Sequence, residues 1–110
     1  MKSKSVIAIL FLLLLRTGIS QGAFLLVPMD NNQTNHLKAY GIAYWALQKG
    51  NTLEWLLNYR GGSFLIPFYD EIQQECMLRG VRTEVIADAA RLKILDEIAR
   101  PDFNMDVIKM

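Results

Sequence analysis

The chain has 110 residues, of which 52% are hydrophobic and 21% charged, a composition that is typical of a folded chain with one core and excludes a disordered one. Its formal net charge is +1, but three basic residues precede position 21, so residues 21–110 hold nine basic and eleven acidic residues and a formal charge of −2. A surface without excess positive charge argues against nucleic acid as a partner.

The first twenty residues have the three-part organisation of a secretory signal peptide. Two lysines lie near its start, residues 6–15 form an uninterrupted apolar run, and small residues precede a predicted cleavage after Ser20. A membrane-spanning helix needs about 20 apolar residues, and Arg16 ends this run at half that length. We therefore expect an exported protein, periplasmic, secreted or at the cell surface, with no permanent membrane anchor after cleavage. An uncleaved signal anchor is the alternative.

The residues after this leader alternate between strand and helix patterns. The apolar run at 24–29 predicts a strand that is buried on both faces and ends in a polar loop. Apolar residues at three- and four-residue spacing predict a helix over 34–49, with an Asn or Thr cap and a glycine stop. Residues 52–59 predict a second strand that ends at Arg60, and the short apolar stretch at 64–67 is interpreted as part of the following connection.

The second half continues the alternation. A helix is predicted over 70–79, a third strand over 81–86, where apolar and polar residues alternate, and a helix over 88–99. This order favours the α/β class, with a parallel sheet and right-handed crossovers in a partial doubly wound, Rossmann-like three-layer sandwich. Three strands make half of such a sheet, so residues 21–110 are predicted to be the N-terminal part of a truncated domain. A complete small domain is the alternative.

Two polar loops follow strands of this predicted sheet, where open parallel sheets bind ligands. The first contains Asp30, Asn31 and the only histidine, His36. An imidazole can act as a general acid or base near neutral pH. The alternative is a capping loop with a surface imidazole, because amides favour caps for local reasons.

The second loop consists of Arg60, Gly61, Gly62 and Ser63. Two glycines let the backbone approach a ligand closely, the arginine can bind a carboxylate or phosphate, and the serine adds a hydroxyl. The two loops together predict a pocket for a small anionic ligand. A tight structural turn is the alternative, because neither glycine-rich phosphate-binding fingerprint is present.

Several other chemistries lack the residues that they need. Cys76 is the only cysteine, which excludes an intramolecular disulfide and a thiolate zinc site, and one histidine predicts no metal site. The sequence does not identify a cofactor, which stays unknown. Because Cys76 lies inside a predicted helix, we interpret it as a small buried hydrophobic residue.

Four segments carry a resemblance to a known family: LVPMD at 26–30, NHLKAYGIAYW at 35–45, EWLLNYRGGSFL at 54–65 and NMDVIK at 104–109. They are similar to exported Bacteroidota proteins labelled asparagine synthetase B, which are longer than this chain. The resemblance implies an amidotransferase-like α/β protein of which this chain is the N-terminal fragment.

The chain departs from glutamine-dependent asparagine synthetases at both of their catalytic motifs. Those enzymes have a cysteine directly after the initiator Met, where this chain has Lys2, and an S-G-G-x-D-S ATP loop, where this chain has Arg60 before Gly61. No catalytic residue is therefore transferred. One hypothesis is an exported amidotransferase-like or hydrolase-like enzyme with its catalytic residues beyond Met110. The others are a non-catalytic periplasmic or surface protein that binds a small anionic or carbohydrate ligand at the two loops, and a structural or assembly role.

Overall fold

The computed structural model of the chain describes residues 23–100 and 105–110. The predicted signal peptide at 1–20 lies outside these residues. In the part of the chain that the structure describes, no helix has both the length and the apolar character that crossing a membrane requires.

The described residues form five strands and three helices, numbered here in chain order. The strands are Ala23–Val27 (β1), Glu54–Leu57 (β2), Ser63–Pro67 (β3), Glu84–Ala87 (β4) and Asp106–Lys109 (β5). The helices are His36–Gln48 (α1), Asp70–Arg79 (α2) and Asp88–Ile98 (α3). All three helices lie in the segments where helices are predicted.

The five strands form one sheet in the order β4-β1-β3-β2-β5, and every neighbouring pair is antiparallel. The prediction of a parallel, doubly wound, Rossmann-like sheet is therefore wrong. The cause is β3: residues 64–67, predicted to belong to a connection, form the central strand instead. Leu65 pairs with Leu26 of β1 on one side and with Glu54 of β2 on the other.

The elements from β1 to β4 have the split β-α-β arrangement of ferredoxin-like domains, in which the chain returns between two parallel strands. A short turn from β2 to β3 requires these two strands to be antiparallel, because parallel neighbours need a crossover of a dozen residues or more. β5 then extends the sheet beyond β2. It lies in a segment for which no strand is predicted.

The two faces of the sheet have separate hydrophobic cores. α1 and α2 cover one face, where Leu25 and Val27 are buried, and α3 covers the other, where Leu26 and Leu65 are buried. Because successive residues of a strand point to opposite faces, β1 supplies both cores. This explains the continuous apolar run at 24–29, and the prediction of a strand buried on both faces is confirmed.

The start of α1 has the predicted asparagine cap. The side-chain oxygen of Asn35 accepts a hydrogen bond from the backbone N–H of Lys38 over 3.0 Å, which satisfies one of the free donors of the first turn. The helix therefore begins at His36, directly after the polar loop that follows β1.

Candidate functional site

The two predicted loops lie at the same end of the sheet, although the sheet is antiparallel. β1 and β2 both pair antiparallel with β3 and so run in the same direction. The C-terminal ends of both strands therefore lie at the same end of the sheet. The backbone N–H of Met29 donates to the carbonyl of Arg60 over 3.2 Å and joins the loops directly. We call this end of the sheet, with Asp30, Arg60 and Glu84, the rim.

Arg60 is held by two carboxylates at the rim. Its Nε donates to Oδ2 of Asp30 over 2.7 Å, and its Nη1 lies 2.8 Å from Oε2 of Glu84. The hydrogen bond from Arg60 lowers the pKa of Asp30, and the same bond raises the pKa of Arg60. Two carboxylates against one guanidinium leave the cluster with a negative charge, which repels an anionic ligand.

The two glycines of the predicted anion loop have structural reasons for their positions. Gly61 has a φ of +82°, and a Cβ placed on it would lie 2.7 Å from the carbonyl carbon of Met29. Gly62 has a φ of +94°, and its carbonyl accepts the indole N–H of Trp55 over 2.9 Å. Both conformations favour glycine, and both serve contacts within the fold.

The remaining predicted site residues also contact the backbone or face solvent. The buried hydroxyl of Ser63 lies 3.1 Å from the carbonyl oxygen of Tyr59, to which it can donate. Nε2 of His36 lies 3.0 Å from the carbonyl oxygens of Met29 and Asp30, which fixes Nε2 as the protonated donor. The exposed Asn31 side chain makes no hydrogen bond to the described residues.

Gln33, which the sequence does not distinguish from its polar neighbours, connects the rim to the α2–β4 loop. Its side chain is buried, with Nε2 donating to the carbonyls of Pro28 over 2.9 Å and Arg82 over 3.0 Å. Its Oε1 accepts the backbone N–H of Arg82 over 2.8 Å. One amide therefore ties the loop after β1 to the α2–β4 loop, which lies 49 residues further along the chain.

A second concave site lies at the opposite end of the sheet, on the face that α3 covers. It is a cavity of about 350 Å³, which we call the α3 pocket. It is lined by apolar and charged side chains, chiefly Phe24, Leu65, Pro67, Glu54, Arg91 and Lys109. These residues come from four strands and one helix, so the pocket exists only in the folded sheet.

Arg91 is held in place in the α3 pocket. Its Nη2 and Nε both donate to Oε1 of Glu54, over 2.7 and 2.9 Å, and its guanidinium carbon lies 4.9 Å from the centre of the Phe24 ring. The two paired side chains are only 22% and 13% exposed. A cation fixed in this way loses little conformational freedom when a ligand binds.

Lys109 adds a second positive charge to the α3 pocket. It lies opposite Glu54 in the β2–β5 pair, so both side chains point to the same face of the sheet. Among residues 23–100 and 105–110 it has no ion-pair partner. The lining therefore has two cations and one carboxylate and is positive, whereas the rim is negative. Asp88, which does not line the pocket, lies 4.0 Å from Nη1 of Arg91.

Cys76 is buried in α2, as the sequence predicts. Burial raises the pKa of its thiol to about 11, so the thiol is protonated at neutral pH and is not a ready nucleophile. In the described part of the chain, no cluster of three or more His, Cys, Asp or Glu side chains could hold a metal ion.

The state of Cys76 can be measured directly. At pH 8 we expect the native protein to react with a thiol reagent such as DTNB about 100-fold more slowly than the unfolded chain, because the thiolate is scarcer and access is blocked. The same protein in concentrated urea is the control, and equal rates in the two states would show an accessible, ordinary thiol.

The comparisons with known proteins bring no relative: no family model, no curated protein and no solved structure matches this chain. The similarity to asparagine synthetase B therefore stays a prediction. Fold and site together define an α+β domain with an antiparallel sheet and a small, positively charged pocket on its α3 face.

Proposed function

We propose that this chain is an exported ligand-binding domain that takes a small anionic molecule into the α3 pocket. The observation that carries the proposal is the net positive charge of a preformed cavity with apolar walls. Sites for small molecules combine apolar surface with a few placed polar groups, and that is the composition of this cavity.

The dimensions and the charges of the pocket narrow the ligand class. Its volume of about 350 Å³ lies near the lower end of the range of roughly 300 to 1,000 Å³ that small-molecule sites occupy. Phe24, Leu65 and Pro67 offer contact to an apolar body, while Arg91 and Lys109 offer charge to one carboxylate or similar group. A small monoanion with a hydrophobic part meets both requirements.

The ligand class is the one that the sequence predicts, but the binding site is the α3 pocket and not the two loops at the rim. At the rim, Arg60 already binds two carboxylates, and an anion would have to displace them. In the α3 pocket Glu54 and, at 4.0 Å, Asp88 compete for Arg91, and among the described residues no carboxylate pairs with Lys109. The α3 pocket gives no support to the predicted amidotransferase-like activity, because neither Cys76 nor His36 lines it.

Benzoate and benzamide are suitable probes, since they share one shape and differ in charge. In a titration followed by ¹H–¹⁵N NMR, we expect benzoate to shift the amide signals of Glu54, Arg91 and Lys109 and benzamide to bind several-fold more weakly. Lys109→Gln removes one solvent-exposed charge, worth about 1 kcal/mol at 4 Å in water, and should weaken benzoate binding about fivefold.

Lys93→Gln is the matched control, because this exposed lysine of α3 does not line the pocket and its loss changes the net charge equally. We expect benzoate affinity to stay within a factor of two of the unsubstituted protein. Equal binding of benzamide and benzoate, or equal loss in the two lysine variants, would contradict the proposed site.

A further inference from the structure

On the face that α1 and α2 cover, the sheet is wider than its helical layer. Two helices about 10 Å across cover about four strands spaced about 4.8 Å apart. β5 is the fifth strand, and it lies beyond β2 on the side of α1. The face of β5 is therefore left without a helix.

Large apolar side chains surround this uncovered region. A groove of about 200 Å³ lies between α1 and the sheet, and its wall includes the rings of Trp55 and Phe64. Around it, the exposed fractions are 82% for Leu37, 47% for Tyr40, 65% for Tyr44, 39% for Ile108 and 46% for Met110. We call these five side chains and the groove the open face.

The chemistry of the open face favours a dry, apolar occupant. None of the described residues that line the groove is charged. The N–H of Trp55 already donates to Gly62, and the ring of Phe64 contacts the rings of Tyr40 and Trp55. The polar atoms of these side chains are the hydroxyls of Tyr40 and Tyr44 and the indole N–H of Trp55, so the apolar surface of a folded protein can cover the groove without burying a charge.

A second copy of this chain is the occupant that the observations favour, and we propose that the open face is the contact surface of a homodimer. In a two-fold interface both copies use the same patch, so an uncharged patch meets itself without repulsion. The exposed parts amount to roughly 500 Å² per copy, about 1,000 Å² for the pair, which is the lower limit of specific interfaces and implies a weak, reversible dimer.

The edge strand β5 has features that discourage pairing with a strand of another copy, so contact through the open faces is the favoured way to dimerise. The side chain of Asp106 accepts the backbone N–H of Val107 over 2.7 Å, and charged side chains on an edge strand discourage the addition of another strand. The two copies therefore meet through side chains, and the sheets do not join into one.

Sedimentation velocity of the protein from about 10 µM to about 1 mM tests the dimer, since a weak interface dissociates in this range. We expect the sedimentation coefficient to rise with concentration. Tyr44→Glu places a charge in the centre of the patch and should keep the protein monomeric throughout. Ile108→Lys should act in the same way from the β5 side, in case the first variant does not fold.

Leu78→Glu is the control, because Leu78 is 82% exposed on α2, outside the open face, and the charge change is the same. It should dimerise as the unsubstituted protein does. A protein that stays monomeric at about 1 mM overturns the proposal and leaves the patch to another segment or partner. A dimer that survives both Tyr44→Glu and Ile108→Lys, or that Leu78→Glu weakens equally, overturns it as well.

Discussion

Gly61→Ala is expected to lower the free energy of unfolding by about 3 kcal/mol or more, through backbone strain and steric overlap together. The new Cβ would lie 2.7 Å from the carbonyl carbon of Met29 and 3.2 Å from the backbone N of Asp30, and φ is +82°. Relief requires the two loops to move apart. The hydrogen bond between Met29 and Arg60 and the ion pair between Asp30 and Arg60 both oppose that movement.

Gly50→Ala separates the two causes. Gly50 has nearly the same φ, +86°, but a Cβ there meets nothing within 4 Å. It should therefore show only the cost of the left-handed conformation, about 1 to 2 kcal/mol. Urea unfolding of both variants measures the difference. If the two variants lose the same free energy of unfolding, the overlap between the new Cβ and Met29 adds nothing to the cost of Gly61→Ala.

The helices could be predicted from the sequence because the information for them is local. Periodic apolar residues, the Asn35 cap and the glycine that follows Arg79 all lie within a few residues of the structure that they determine. Strand pairing is different, because it depends on which distant segments meet. The strand order of this sheet was therefore the weakest part of the prediction.

The parallel sheet was wrong for one identifiable reason. The short apolar segment at 64–67 is predicted to be part of a connection. In the structure it is a strand, and residues 63–66 are fully or almost fully buried. Only five residues separate Leu57 from Ser63, too few for the crossover that a parallel neighbour needs. Once 64–67 is a strand, a hairpin and an antiparallel sheet follow.

The two polar loops lie close together as predicted, although the predicted type of sheet was wrong. A parallel sheet and the split β-α-β arrangement both place β1 and β2 in the same direction, so their ends reach one edge in either fold. The partners of Arg60 could not be foreseen, because Glu84 reaches the rim only through the pairing of β4 with β1. That second carboxylate turns a neutral pair of Asp30 and Arg60 into a negatively charged cluster.

The α3 pocket had no signature in the sequence. Phe24, Glu54, Arg91 and Lys109 are separated by intervals of 18 to 37 residues and meet only where β1, β2, α3 and β5 are all in place. The strand β5 itself is four residues long and is stabilised by its partner β2, as the pairing of Ile108 with Trp55 shows. Tertiary pairing therefore determines both the strand and the site.

Gln33→Leu is expected to lower the free energy of unfolding by about 2 kcal/mol, because a buried backbone group left without a partner costs about 1 to 3 kcal/mol and the part-buried groups of Arg82 add less. The variant keeps a side chain of similar size but leaves the carbonyl of Pro28 and both backbone groups of Arg82 without their hydrogen-bond partner. Asn31→Leu, two residues away on an exposed side chain, should change the stability by less than about 0.5 kcal/mol. Chemical denaturation of both variants provides the comparison.

Gln33→Glu tests whether donation by the amide, and not only its shape, holds the loops together. The carboxylate would face the carbonyl oxygens of Pro28 and Arg82, which disfavour its charged form and raise its pKa in the folded state. The protonated carboxyl can still donate one hydrogen bond. The stability deficit relative to the unsubstituted protein should therefore be small at pH 4 and grow towards pH 7, as the carboxyl ionises. A deficit that does not change over this range would mean that Gln33 acts through its packing alone.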